Sequence, residues 1–108
     1  MKRKNRADRE IFERQANLCK AFANPTRLQL IDMLAESDCW AAELQQALEV
    51  SKANLSQHLS ILRASGIVQT RRDGKQLHCR LGMPEVKKAT ALLRSMLKSQ
   101  VRENRRWS

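Results

Sequence analysis

The 108-residue sequence has no tyrosine and contains two phenylalanines and two tryptophans as its only aromatic residues. So few rings leave little surface on which single-stranded bases could stack. Long uninterrupted apolar runs are also missing, which argues against a transmembrane helix and against the apolar segment of a signal peptide. We therefore expect a soluble, cytoplasmic protein of one domain with no membrane partner.

Cysteine is scarce and irregularly spaced. Cys19, Cys39 and Cys79 form neither a CxxC zinc motif nor an even disulfide set, so reduced thiols in a reducing compartment are the simplest interpretation. No Ser/His/Asp or paired-carboxylate arrangement stands out, and no glycine-rich phosphate loop is present. The sequence predicts that the protein is not an enzyme.

Positive charge is abundant but unevenly distributed. Lys and Arg outnumber Asp and Glu by 21 to 11, a net charge of +10, yet Arg27 is the only cation between Ala21 and Val50. Cations gather in the N-terminal residues, near a predicted turn and towards the C-terminus: Lys2, Arg3, Lys4, Arg6, Arg71, Arg72, Lys75, Arg80, Arg102, Arg105 and Arg106. Such clusters indicate a polyanion-binding protein, and the shortage of aromatic residues favours double-stranded DNA.

Apolar residues at helical spacing predict four helices before Gly66. Asn24 is placed to cap the second helix with Pro25 as its first residue. Ser51 is placed to cap the fourth helix, and Gly66 ends it. The predicted ranges are about 8–22, 25–36, 41–48 and 52–65.

After Gly66 the apolar period changes from helical to alternating. Strands are predicted at 67–72 and 76–81, joined by a hairpin turn at Asp73-Gly74. A last helix is predicted to about residue 106. Its apolar stripe is longer than one small core needs, which predicts pairing with a second chain: Val86, Ala89, Leu93, Met96, Leu97 and Val101.

Two helices joined by a tight turn and followed by a basic hairpin predict a mainly α fold with a small β-hairpin, the winged helix-turn-helix. On the fourth helix, Leu55, Leu59 and Leu62 point one way. The opposite face is small, polar and free of acids, as expected of a helix that enters the major groove. A solvated face is the alternative, but it would normally carry Glu and Lys pairs.

The predicted DNA contacts fall into two groups. The first would read bases, since Gln and Asn can bond adenine and Ser can meet either base edge: Asn54, Ser56, Gln57 and Ser60. The second would hold phosphates: Lys52, Arg63, Arg71, Arg72 and Lys75.

Three segments resemble the ArsR/SmtB family of bacterial repressors. NPTRL (24–28) resembles the opening of the family's second helix, SKANLSQHLSIL (51–62) its SxxxxSxHLxxL recognition helix, and GIVQTRRDGKQLHCRL (66–81) its GLVxxRREGRxxxYRL wing. The resemblance covers about Leu18 to Leu81. It implies a homodimer that is released from DNA by metals, metalloids or thiol chemistry.

The family also implies that the dimer is built from the first and last helices, where the surplus apolar stripe lies. The single domain, 1–108, would then divide into a DNA-reading core at about 24–82 and dimerisation helices at about 8–22 and 83–106.

The departures from the family concern its effector sites. Its arsenic and cadmium sensors share an ELCVCDL segment, and neither cysteine of that CxC is in register in Cys39 to Leu44. Its zinc sensors use Asp, His and Glu on the last helix, but no His or Asp occurs between Met83 and Ser108. No metal site and no required cofactor are predicted. As(III), another thiophilic ion, an oxidant or a persulfide are the candidate effectors.

The thiols and histidines differ in their predicted roles. Cys79 alternates with Leu77 and Leu81 and should pack in the core. Cys19 shares an apolar helix face, where it either packs or faces a second subunit, and Cys39 is predicted to be the most exposed thiol, with a pKa raised by Asp38. Cys19 and Cys39 are therefore the candidate effector thiols.

His58 is predicted to point inward from the fourth helix and His78 outward from the second strand. Neither is expected to bind metal.

Two alternatives remain open at this point. One is a constitutive or protein-regulated repressor without a small effector. The other is a non-specific basic nucleic-acid-binding protein, for which the affinities for specific and random sites would be nearly equal.

Overall fold

A computed structural model of the chain describes residues 6–107, with side chains from residue 8 to residue 105. The side chains of Lys2, Arg3, Lys4, Arg6 and Arg106, part of the predicted basic clusters, lie outside this description. The elements in chain order are α1 (Arg6–Phe22), α2 (Pro25–Glu36), β1 (Cys39–Trp40), α3 (Ala41–Leu48), α4 (Lys52–Ala64), β2 (Val68–Asp73), β3 (Gln76–Leu81) and α5 (Glu85–Trp107). None of the described helices is long and apolar enough to span a membrane.

The predicted helices and hairpin are confirmed, with shifts of one or two residues at their ends. Asn24 Oδ1 accepts a hydrogen bond from the backbone N–H of Arg27 at 3.1 Å, and Ser51 Oγ accepts one from that of Asn54 at 3.0 Å. The hairpin loop lies one residue later than predicted. Asp73 pairs with Gln76, so the loop is Gly74 and the residue that follows it.

Strand β1 was not predicted. Its two residues pair antiparallel with β3, and the sheet has the order β1-β3-β2. The segment that connects α2 to α3 is therefore part of the wing sheet. The predicted hairpin is in fact two strands of a three-stranded sheet.

The core lies between α2, α3, α4 and the inner face of this sheet. Its fully buried side chains are Leu30, Ile31, Leu44, Leu59, Leu62, Ile67, Val68 and Cys79. The predicted inward face of α4 is confirmed, because Leu55, Leu59 and Leu62 are at most 3% exposed. This burial fixes the opposite face of α4 towards solvent.

Arg27, the lone cation of its region, connects three helices. Its Nε donates to the carbonyl of Ala21 at 2.7 Å and its Nη2 to that of Lys20 at 3.2 Å. Both carbonyls belong to the last turn of α1, where backbone acceptors have no partner within the helix. Arg27 therefore caps the C-terminus of α1 from the first turn of α2.

The third contact of Arg27 reaches α4. Its Nη1 lies 3.3 Å from Nδ1 of His58. Because a guanidinium only donates, Nδ1 must accept, so neutral His58 carries its proton on Nε2. Burial, with a smaller effect from the Arg27 charge, lowers the pKa of His58. The predicted inward position of His58 is confirmed.

Removing the Arg27 side chain should be costly, since it leaves the Ala21 carbonyl and the buried imidazole of His58 without their donor, whereas the Lys20 carbonyl keeps the N–H of Ala23. We expect Arg27→Ala to lower the free energy of unfolding by about 2–3 kcal/mol. The control is Arg94→Ala, which removes one exposed ion pair to Asp32 and should cost less than about 1 kcal/mol. Urea denaturation of both variants measures the difference, and equal losses would contradict the capping role.

Candidate nucleic-acid interface

The outer face of α4 is a continuous polar surface. The four predicted base-reading residues are all exposed: Asn54, Ser56, Gln57 and Ser60. The N-terminus of α4 is fixed by the Ser51 cap, and its inner face by the leucines of the core. The helix therefore presents short amide and hydroxyl side chains on a rigid support, without a carboxylate to repel phosphate.

The wing, formed by β2, β3 and the loop between them, lines a groove together with α3 and α4. The groove has a volume of about 560 Å³, and four of the five predicted phosphate-binding cations line it: Lys52, Arg63, Arg72 and Lys75. Its floor includes Leu55, Leu59 and Leu77. The structure thus brings these cations together around the start and one side of α4.

Arg71 is separated from the other four. Residues alternate between the two faces of a strand, and Arg71, paired with His78, lies on the outer face of the wing. There it lines a smaller cavity of about 130 Å³ with Gln69, Thr70, His78 and Arg80. The prediction placed Arg71 and Arg72 in one cluster. Because side chains alternate between the two faces of a strand, the sequence already contained the signal that Arg71 and Arg72 lie on opposite faces.

Arg63 also has a contact within the protein. Its Nη1 donates to Oγ1 of Thr70 at 3.2 Å, which joins α4 to β2 of the wing. Arg63 therefore fixes the distance between the polar helix face and the wing.

His78 lies on the outer face of β3, as predicted, but it is not simply solvated. Its ring meets that of Trp40 in a T-shaped arrangement with centroids 5.3 Å apart. Its Nε2 lies 3.7 Å from a carboxylate oxygen of Asp38. Trp40 and Asp38 come from β1 and the residue before it, so the unpredicted strand accounts for this environment.

The thiols are arranged differently from the prediction. Cys39, expected to be the most exposed, is buried, because β1 turns its side chain to the inner face of the sheet. Cys19, on α1, is exposed. Cys79 is fully buried, as predicted. The structure gives no direct contact between the two candidate effector thiols.

Burial also controls the acidity of the buried pair. It raises the pKa of Cys79 to about 11. It is the largest cause of the raised pKa of Cys39, followed by the charge of Glu43, whereas Asp38 contributes less. The predicted direction for Cys39 is confirmed, but its main cause is burial. Among the described residues, no group of three or more His, Cys, Asp and Glu could hold a metal ion.

An apolar surface lies on α1 and α5, away from the groove. Every described residue of α5 from 91 to 105 is exposed. The exposed apolar side chains on these two helices are Ile11, Phe12, Leu92, Leu93, Met96, Leu97 and Val101, at 48% to 64% of their full areas. A patch of this kind typically marks a protein interface.

A helix-turn-helix that carries an exposed polar helix next to a cationic wing defines a winged helix-turn-helix DNA-binding protein. The sequence pattern of the family described as "Bacterial regulatory protein, arsR family" matches residues 24–70. The biofilm growth-associated repressor of Xylella fastidiosa is 43% identical over 77 residues, which cover 68% of each chain. The transcriptional activator HlyU of Vibrio cholerae is 42% identical over 76 residues, 70% of each chain.

The fold is similar as well. The crystal structure of Mycobacterium tuberculosis Rv0081 superposes with a TM-score of 0.80 at 28% identity, covering 87% of this chain and 95% of that one. The chain belongs to the ArsR family of bacterial regulatory proteins, as the resemblance in sequence had indicated. It is a DNA-binding transcriptional regulator, and the comparisons point to no enzyme family.

The burial of the thiols predicts the order of their alkylation. In folded protein diluted until it is monomeric, iodoacetamide should modify Cys19 first, Cys39 much more slowly and Cys79 last, because the reaction requires an accessible thiolate. Mass spectrometry of peptides from timed samples measures the order, and urea-unfolded protein is the control in which the differences should largely vanish. Modification of Cys39 before Cys19 would contradict the burial of the Cys39 side chain on β1.

Proposed function

We propose that the protein is a homodimeric transcriptional repressor that acts in the cytoplasm on a pseudo-palindromic operator in double-stranded DNA. The observation that carries this proposal is the acid-free polar face of α4 beside a groove lined by four cations. A DNA duplex offers base edges to the polar face of α4 and phosphates to the cations of the groove.

In this proposal Gln57 and Asn54 bond adenine edges, and Ser56 and Ser60 meet neighbouring bases. The groove cations hold the phosphate backbone: Lys52, Arg63, Arg72 and Lys75. Arg71, on the outer face of the wing, would meet phosphate from the other side. A non-specific nucleic-acid-binding protein would not need the polar, acid-free helix face.

The second part of the proposal is the dimer. The apolar faces of α1 and α5 remain in water in a single chain, and a second copy would bury them. Two linked recognition helices can then bind half-sites one helical turn apart, about 34 Å. Repression would follow from occupying the operator.

The third part is the effector. We propose that a thiol-reactive compound, such as As(III), another thiophilic ion, an oxidant or a persulfide, weakens DNA binding, with Cys19 and Cys39 as the candidate thiols. In the single chain Cys19 is the exposed one of the three thiols, so a reagent reaches it first on chains that are not paired. Its place on α1, in the proposed dimer interface, would let a modification there change the separation of the two recognition helices. A repressor regulated by another protein remains the alternative.

The two groups of DNA contacts can be separated by substitution. Arg72→Ala should weaken binding to operator and random duplex alike and reduce the salt dependence by about one ion per subunit. Lys88→Ala, which removes a cation from α5 outside the groove, is the matched control. Fluorescence anisotropy across a salt series measures both affinities. A loss limited to the operator would overturn the assignment of Arg72 to phosphate.

Gln57→Ala should show the opposite pattern. We expect it to cost roughly 1 to 3 kcal/mol of operator affinity and to leave binding to random duplex nearly unchanged. The same titrations measure it. If operator and random duplex bound the wild type equally well, the proposal of a sequence-specific repressor would be wrong.

The dimer is tested by placing a charge in the apolar face of α5. Leu93→Glu should give monomers and abolish tight operator binding, because one recognition helix cannot span two half-sites. The control, Ala91→Glu, adds the same charge about 160° away around the helix and should remain dimeric. Sedimentation equilibrium measures both, and a monomeric wild type would overturn the dimer.

A further inference from the structure

Cys39 and Cys79 are directly opposite each other on the antiparallel strands β1 and β3. Directly opposed residues project from the same face of a sheet. Here that face is the inner one, since the two side chains are only 7% and 0% exposed. Both thiols are free. Each is placed to donate weakly to the carbonyl two residues earlier, Ser37 or Leu77.

We propose that Cys39 and Cys79 form a modification site at which an oxidant produces an intramolecular disulfide. Opposed residues of antiparallel strands have Cα atoms about 4.5 or 5.5 Å apart, depending on the type of pair. Both values fall inside the range of about 4.4 to 6.8 Å found in disulfides. The strand pairing therefore already provides the Cα separation that the bond requires, and bond formation needs the two Cβ atoms to approach from about 4.5–5.5 Å to about 3.5–4.5 Å.

Burial favours a disulfide over a bridging ion. As(III) prefers three thiolates, and this site offers two. A bridging ion with a further ligand would also need space between β1 and the core. A disulfide adds no atom to the site, because it only removes the two thiol hydrogens.

The reaction balances with a peroxide as the oxidant. The thiolate of Cys39, the slightly more exposed residue, attacks one peroxide oxygen, the O–O bond breaks, and a sulfenic acid and hydroxide form. The thiolate of Cys79 then attacks Sγ of Cys39, the S–O bond breaks, and hydroxide leaves as the S–S bond forms. The two protons from the thiols convert the two hydroxides to water. Two thiols lose two electrons in total, and the peroxide gains them.

The site is connected to the groove through one row of paired residues. Cys79 is also opposite Thr70 on β2, and Thr70 accepts a hydrogen bond from Arg63 of α4. A bond between Cys39 and Cys79 would fix the entry to α3 covalently to the central strand of the wing. This refines the thiol-reactive effector of the proposed function, pairing Cys39 with Cys79 rather than with Cys19.

The test uses the full-length Cys19→Ser variant, which leaves Cys39 and Cys79 as the only thiols. After treatment with hydrogen peroxide, titration with Ellman's reagent under denaturing conditions should show that both thiols disappear together. Non-reducing peptide mapping should recover one peptide pair that contains both residues. The melting temperature should rise by roughly 10 °C, and dithiothreitol should reverse the rise.

The matched control is Cys79→Val in the same background, which fills a similar volume without sulfur. It should give no reducible shift in melting temperature. If it fails to fold, Cys39→Ala is the second control, with the same expectation. Three outcomes would each overturn the site. Both thiols could stay reduced, they could be oxidised separately to sulfinic acids, or they could form disulfides only between chains. Because mass and thiol content are the readouts, a failure of operator binding would overturn the proposed function and leave this result intact.

Discussion

One guanidinium group links helices that carry the two functional surfaces of this protein. Arg27 lies in the first turn of α2. Its side chain donates hydrogen bonds to two carbonyls in the last turn of α1 and to the imidazole of His58 on α4. α1 carries part of the exposed apolar surface, and α4 carries the polar face beside the groove. The angle between the surface proposed for assembly and the surface proposed for DNA therefore depends on this side chain together with the packing of Leu18, Ala21 and Phe22 against the core. The acidic composition around Arg27 leaves it no cationic neighbour in sequence to replace it.

The helices and the hairpin could be predicted because their signals are local. Asn24, Ser51 and Gly66 mark helix ends through hydrogen bonds and backbone angles that involve only residues within three positions in the sequence. The same holds for the outer face of α4, since helical periodicity separates Gln57 from Leu55 and Leu59. These parts of the candidate site follow from the sequence without knowledge of the tertiary structure.

The rest depends on contacts between distant residues. Two residues are too few to show alternation, so Cys39 and Trp40 become a strand only by pairing with β3. Without that strand, Cys39 looks like part of an exposed polar junction and His78 looks solvated. Similarly, Arg71 and Arg72 form one charge cluster in the sequence, but strand geometry sends them to opposite faces of the wing. The missed features all follow from the register of one small sheet.

The third strand also has a consequence for the thermodynamics of DNA recognition. A two-stranded hairpin alone is marginally stable in water, whereas a third strand and a helix contact make such a sheet self-supporting. Because β1 leads directly into α3, and Arg63 joins the other side of the wing to α4, wing and recognition helix form one preorganised body. The conformational entropy of the wing is then lost during folding rather than on the duplex, so the free energy of its phosphate contacts goes into affinity.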